Sequence, residues 1–230
     1  GLLAEGTYAF GEDGVLIDNA FAMWQGNMCY MRNGQPYAAG LVRIGSDIYY
    51  VRSSCQAATG MYWVSPDKTN GILETGFYLF ADNGALIDGR FADWKGEECY
   101  IKMGQPYYAG VIEYNGKLIY VGSNCKMNTG VCYITKAAGN GILEEGYYYF
   151  KEDGELLSSG FAKWTDGVTY YFENGQRCAA GAVEVDGSVY YINSGCRPVT
   201  GKYFVSANKG NGILEEGYYT FDANGVLISG

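Results

Sequence analysis

Gly141-Ile142-Leu143-Glu144-Glu145-Gly146-Tyr147-Tyr148-Tyr149-Phe150-Lys151-Glu152-Asp153-Gly154 carries the information that sets the fold. A run of aromatic residues suits a strand, and the Asp-Gly step after it suits a tight turn. Moving outward, Tyr148-Tyr149-Phe150 leads to Gly154 and Gly160. Tyr170-Tyr171-Phe172 leads to Gly175 and Gly181, and Tyr190-Tyr191-Ile192 leads to Gly195 and Gly201. Each reads as an aromatic strand, a glycine turn and a short return segment, which is a β-hairpin pattern. The stretch also has relatives along the chain. GLLAEG opens at Gly1, GILETG at Gly71, and GILEEG at Gly141 and Gly212, spaced 70, 70 and 71 residues apart. Trp24, Trp94 and Trp164 keep the step of 70.

A fixed period of this size marks a repeat array. The copies are assigned as 1–70, 71–140 and 141–211, with 212–230 as a partial fourth, and the pattern implies further domains in a longer chain. Three hairpins per copy give about ten hairpins in all. No amphipathic helical stretch is present. A lone hairpin is marginal in water, so the hairpins must stack to bury their aromatic faces. The expected fold is all-β, an elongated solenoid of stacked β-hairpins.

Composition narrows the function classes. The 230 residues carry 16 Lys and Arg against 25 Asp and Glu, a formal charge of −9, and no histidine. Histidine-dependent triads and histidine metal sites are excluded. The acidic balance argues against nucleic acid or an anionic membrane as partner. No run of 18 apolar residues exists, so membrane insertion is not expected. Residue 1 already lies inside the repeat, so no targeting segment is expected. No CxxC pair occurs, and no metal or cofactor is implied.

Seven cysteines add a constraint. Cys29 and Cys55 are 26 residues apart, as are Cys99 and Cys125, at matching places in two copies. In the third copy Cys196 matches Cys55 and Cys125, but the match to Cys29 and Cys99 is Tyr170. Cys178 stands instead where the other copies have Tyr37 and Tyr107. Disulfides Cys29–Cys55, Cys99–Cys125 and Cys178–Cys196 are expected, each closing a loop whose restraint is worth about 3 kcal/mol if unstrained. Spacing alone does not prove connectivity, and buried thiols in a reducing compartment are the rival reading. Cys132 aligns with Tyr62 and Tyr203 and is read as a small packing residue.

Segments such as Gly167-Val168-Thr169-Tyr170-Tyr171-Phe172-Glu173-Asn174-Gly175, ending at Gly181, resemble the cell-wall-binding or glucan-binding repeats of bacterial surface proteins. That family includes choline-binding modules, the glucan-binding repeats of glucansucrases and the repeats of large clostridial toxins. The resemblance covers the whole chain at the level of the hairpin. It implies a hairpin solenoid, a secreted or cell-surface location, and non-catalytic attachment to a polysaccharide or to teichoic-acid choline. Two tryptophans of the choline cage are replaced here. The first position reads Phe21, Phe91 and Phe161, or Leu41, Val111 and Ala182. The second reads Met28, Glu98 and Thr169, or Ile48, Leu118 and Val189. That departure shifts the expected ligand from choline to an α-glucan such as starch, maltooligosaccharide or dextran.

A sugar site wants an exposed aromatic plate flanked by hydrogen-bonding side chains. Trp24, Trp94 and Trp164 each precede a glycine turn, with Gln25, Asp93 and Lys95 among their polar neighbours. The competing reading makes these tryptophans core pegs between hairpins. Trp63, before the loop Ser65-Pro66-Asp67-Lys68-Thr69-Asn70, and Tyr37, Tyr107 and Tyr108, after Gly-Gln-Pro turns, complete the candidate platforms. The pairs Glu144-Glu145 and Glu215-Glu216 recur as Glu5 and Glu74. Adjacent residues of an extended segment face opposite ways, so they read as solvated linker rather than catalytic acids. A carbohydrate-binding module is therefore expected, with a structural or protein-interaction spacer and then a choline anchor as alternatives.

Overall fold

A computed structural model describes residues 3–230. The chain is all-β; among the described residues the other regular elements are short 3-10 turns such as Pro66–Lys68 and Ala207–Lys209. No helix among the described residues is long and apolar enough to cross a membrane. Among the described residues the strands form nine antiparallel hairpins, each a separate sheet of two or three strands. They contribute to two compact units, residues 1–107 and 108–230.

Every copy repeats one order of hairpins. In the third, Ser159–Lys163 pairs with Thr169–Glu173, Gly181–Val185 with Ser188–Ile192, and Gly201–Val205 with Gly217–Phe221. The pairing differs in frame from the sequence expectation. The aromatic strand is the second strand of its hairpin, with its five-residue partner upstream; beyond the following turn it keeps only a short pairing, such as Phe172 with Arg177 and Glu173 with Gln176, or a single bridge. Asp186-Gly187, for example, closes Gly181–Val185 onto Ser188–Ile192 with φ of 50° and 75°. Two positive φ values give the turn whose twist matches that of the strands. Asp153-Gly154 instead closes a short connection held by the Phe150–Leu156 bridge.

The third hairpin of each copy has a long loop where the first two have tight turns. Gly71, Gly141 and Gly212, which open the sequence repeats, lie in those loops. Each loop docks on the preceding hairpin. Asn70 Nδ2 donates to the carbonyls of Ala39 and Leu41, both at 2.7 Å. Asn140 does the same to Ala109 and Val111 at 2.6 and 2.8 Å, and Asn211 to Ala180 and Ala182 at 2.6 and 2.8 Å. All three asparagines have φ between 48° and 52°, a left-handed conformation that Asn tolerates better than most residues.

Glycine is required between the two clamped carbonyls. At Gly40, Gly110 and Gly181 a Cβ would lie 2.7, 2.5 and 2.5 Å from a loop carbonyl oxygen. The core then repeats position by position. Leu41, Tyr50, Val64, Tyr78 and Phe80 form one cluster; Val111, Ile134, Tyr148 and Phe150 another; Ala182, Tyr191, Val205 and Phe221 a third. Neighbouring hairpins inside a unit are stitched by few backbone bonds, such as Tyr171 N–H to Cys196 O at 2.8 Å. Their cohesion is therefore mainly apolar packing.

The expected disulfides are not formed. Among the described residues every cysteine is in the thiol form. Burial pushes the Cys55 thiol up, with the charge of neighbouring Cys29 adding to it, and burial does the same to Cys178. The Cys178 thiol donates to Glu173 at 3.3 Å instead of bonding to sulfur.

Cys132 and Tyr108 both depart from the other copies and both neighbour Tyr120. In copies one and three the central tyrosine packs on a second tyrosine, Tyr50 on Tyr62 at 4.6 Å and Tyr191 on Tyr203 at 4.9 Å. Copy two has Cys132 at that position, half-buried beside Tyr120, and Tyr108 where the others have Ala38 and Ala179. The Tyr120 hydroxyl pairs with Tyr108, and burial with that bond pushes Tyr120 up to about 12. Tyr108→Ala should destabilise by about 1–2 kcal/mol through the lost Tyr120 hydrogen bond and partial ring burial, and Cys132→Tyr by about 1–3 kcal/mol through crowding. The double variant should recover at least about 1 kcal/mol of their sum in urea denaturation, because it restores the arrangement of the other copies. Strict additivity would show that the two positions do not share one space.

Candidate functional site

Exposed aromatic rings recur in register. In each third hairpin a ring on the first strand lies directly across from a ring on the second: Trp63 opposite Phe77, Tyr133 opposite Tyr147, and Phe204 opposite Tyr218. Their centroids are 4.9, 4.9 and 5.1 Å apart, with interplanar angles near 60°. All six rings are 45–64% exposed. The strand alternation explains this: Tyr78, Phe80, Tyr148, Phe150 and Phe221 turn inward, so Phe77, Tyr147 and Tyr218 must turn outward.

Polar and cationic groups rim these dyads. Lys95 Nζ lies 5.8 Å from the Phe77 centroid and Lys202 Nζ 5.0 Å from that of Tyr218. The Tyr133 hydroxyl donates to Glu145 at 2.6 Å, which holds that phenol above its usual range. Glu145 and Glu216 both make local loop bonds, Glu216 accepting from Ala207 N–H at 3.3 Å.

The turn tryptophans are all partly exposed, yet their surroundings diverge. Trp24 walls an open cleft of about 330 Å³ with Gln25, Asn27, Cys29, Pro36, Ser54 and Gln56. Gln56 Nε2 donates to Asn27 Oδ1 at 3.1 Å, and Ser54 Oγ to Gln56 Oε1 at 3.3 Å. An aromatic face beside amides and a hydroxyl, with no carboxylate in the wall, is matched to a neutral polyol. Trp94 keeps the same strand position, opposite Glu97, and Asp93 beside it accepts the Gly96 N–H at 3.2 Å as part of the turn. In copy three, by contrast, the Arg177 guanidinium lies over Trp164 at 4.4 Å, so that plate is covered.

Structure thus brings together Trp63 with Lys95 through Phe77, and Trp24 with Gln25. It keeps the turn tyrosines apart from both groups. Tyr37 and Tyr107 are exposed beneath Arg32 and Lys102, at 5.0 and 4.7 Å. Tyr108 is as exposed as they are, with its hydroxyl paired to Tyr120. Sequence reasoning missed Phe77, Tyr133, Tyr147, Phe204 and Tyr218. The signal that was available is the 14-residue spacing shared by 63/77, 133/147 and 204/218.

A further cleft, of about 580 Å³, is lined by Phe21, Met28, Tyr49, Arg52, Gln56 and Asp82 among others. Phe21 and Tyr49 meet edge to face at 5.2 Å. Phe21 and Met28 in this wall are the first and second repeat positions at which the chain departs from the choline pattern.

No family model matches the chain, and no curated protein matches it. Solved structures do. The choline-binding domain of CbpL from Streptococcus pneumoniae is 17% identical, with 93% of this chain and 99% of that one covered and a TM-score of 0.45. CbpJ from Streptococcus pneumoniae is 17% identical over 96% of this chain and 61% of that one, with a TM-score of 0.38. An alternansucrase in complex with isomaltononaose is 16% identical over 96% of this chain and 16% of that one, with a TM-score of 0.31. The chain therefore spans about three-fifths of CbpJ and a small part of the alternansucrase. These are proteins that the chain is similar to.

Proposed function

We propose that this chain is a non-catalytic carbohydrate-binding module of a secreted or cell-surface protein, with an α-glucan as its ligand. The observation that carries the reading is the half-exposed aromatic dyad in the same register of all three copies. Keeping six large rings in water makes folding sense only weakly, since each exposed ring forfeits its burial energy. A repeated ligand with apolar C–H faces supplies the missing contact, and weak sites in series grip a polymer by avidity. The amide-lined Trp24 cleft supports a neutral sugar. The alternansucrase structure, solved with isomaltononaose, adds an α-glucan precedent among the similar proteins.

A quaternary ammonium group is the second reading, favoured by Phe21 and Tyr49 meeting in one cleft. In the same wall the positive charge of Arg52 opposes it and the carboxylate of Asp82 favours it. Affinity electrophoresis through gels containing starch, dextran, β-glucan or no polysaccharide distinguishes the readings. Retardation by starch or dextran is expected, and Trp63→Ala with Phe77→Ala should weaken it several-fold while leaving the melting temperature within a few degrees. Unchanged mobility in every gel would sink the glucan reading, and choline titration would then be the next arm.

A further inference from the structure

The cleft that is neutral around Trp24 is rebuilt in copy three. Position by position, Asn27 becomes Val168, Cys29 becomes Tyr170, Pro36 becomes Arg177, Ser54 becomes Gly195 and Gln56 becomes Arg197. The aromatic wall stays, as Trp164 in place of Trp24, and both amide side chains among these positions are lost. Two arginines take the place of a proline and a glutamine.

The geometry organises one of them. Arg177 lies 4.4 Å over the Trp164 ring and 4.9 Å over the Tyr170 ring. A guanidinium held over aromatic rings keeps its five N–H donors, which can meet two oxygens as a fork. Arg177 and Arg197 are both exposed, and neither is in an ion pair among the described residues. The charges of both reach the Tyr170 hydroxyl. The carboxylate beside them is already engaged: Asp166 accepts from the Tyr170 hydroxyl at 2.8 Å and from Val168 N–H at 2.9 Å. Glu173, further along the strand, accepts from Cys178.

We infer that the Trp164–Tyr170–Arg177–Arg197 cluster of copy three is a binding site for an anionic group of a glycan polymer. The shared chemistry is a planar or tetrahedral oxyanion, a uronate carboxylate or a phosphodiester, held by the Arg177 fork. The sugar or polyol backbone bearing it would rest on the exposed edges of Trp164 and Tyr170. Oxyanions and guanidinium groups match in a bidentate geometry that lysine cannot reproduce. The module as a whole is acidic, so attraction to a polyanion requires a local site rather than net charge. Copies one and three would then read different chemistry with the same scaffold, and this inference stands whether or not glucan is retained.

Gels containing polygalacturonate, poly(glycerol phosphate), starch or no polymer test it on the full chain. Retardation by one or both polyanions is expected, weakening as salt is raised. The responding polymer identifies the oxyanion. Arg177→Gln should weaken that binding about tenfold, the loss of one charge-assisted contact. Arg177→Lys should not restore it, and mobility in starch should not change for either variant. Arg197→Gln, which removes no ring contact, gives the same reading if Arg177 variants lower the melting temperature. Mobility in both polyanion gels equal to that without polymer, or polyanion binding that survives Arg177→Gln with Arg197→Gln, would overturn the assignment.

Discussion

Replacing Gly181 by alanine should destabilise the third copy by about 3–5 kcal/mol, whereas the same change at Gly187 should cost about 1–2 kcal/mol. Both glycines have positive φ, 80° and 75°, so the left-handed penalty on an alanine is similar at both. They differ in what surrounds the new methyl. At Gly187 nothing lies within 4 Å, because the residue forms the tip of an open turn. At Gly181 the Cβ would lie 2.5 Å from the Lys209 carbonyl oxygen and 3.4 Å from Asn211 Nδ2. Backbone cannot step aside as a side chain can, so the loop 206–216 must lift from the hairpin. That also pulls Asn211 from its two carbonyl acceptors. Urea denaturation with equal m-values compares the two variants directly. Equal costs would show that the loop does not press on Gly181 in solution.

Asn140→Ala should cost about 2–3 kcal/mol, and Asn140→Gly nearly as much. One amide satisfies two backbone carbonyls, Ala109 O and Val111 O, which flank Gly110. Each bond is worth about 1 kcal/mol net, and removing the donor leaves the part-buried Val111 acceptor without it. Alanine adds the left-handed strain at φ 52°, which glycine avoids. The pair of variants therefore separates the two causes. Hydrogen exchange should show the amides of Gly110–Tyr114 opening before those of Gly130–Ile134, since the clamp joins the loop to the first of these strands. A glycine variant as stable as the parent would mean that the amide contributes no net stability.

The two clamp predictions show why the repeats can be long in loops yet ordered. The loop of each third hairpin carries no strand of its own, and its placement depends on one asparagine and one glycine on the neighbouring hairpin. Asn70, Asn140 and Asn211 are spaced 70 and 71 residues apart, so their recurrence was visible. Their partners, 29 and 31 residues earlier, were not, because nothing in a local pattern says which carbonyls an amide will reach.

Much of the architecture follows from the chain's own pattern. Aromatic runs alternating with Asn-Gly and Asp-Gly steps admit short antiparallel strands and little else, and the 70-residue period makes one copy's packing hold for the next. Turn chemistry and strand alternation are local, so the all-β repeat and the partial exposure of the turn tryptophans were legible. Strand partnership was not: Tyr148 and Tyr149 pair upstream with Cys132 and Val131 across an 11-residue loop, and no residue near Asp153-Gly154 announces that. The same non-local pairing sets Phe77 against Trp63 and Tyr147 against Tyr133, which turned a single suspected residue into a repeated dyad. The cysteine spacings were equally local evidence, and they led to disulfides that the thiols do not form. Bonding depends on where two side chains point after hairpins stack. Tertiary structure alone decided, likewise, that equivalent tryptophans meet different neighbours. Trp24 faces amides and Trp164 faces Arg177, because the residues that reach each ring arrive from other strands and turns of the chain.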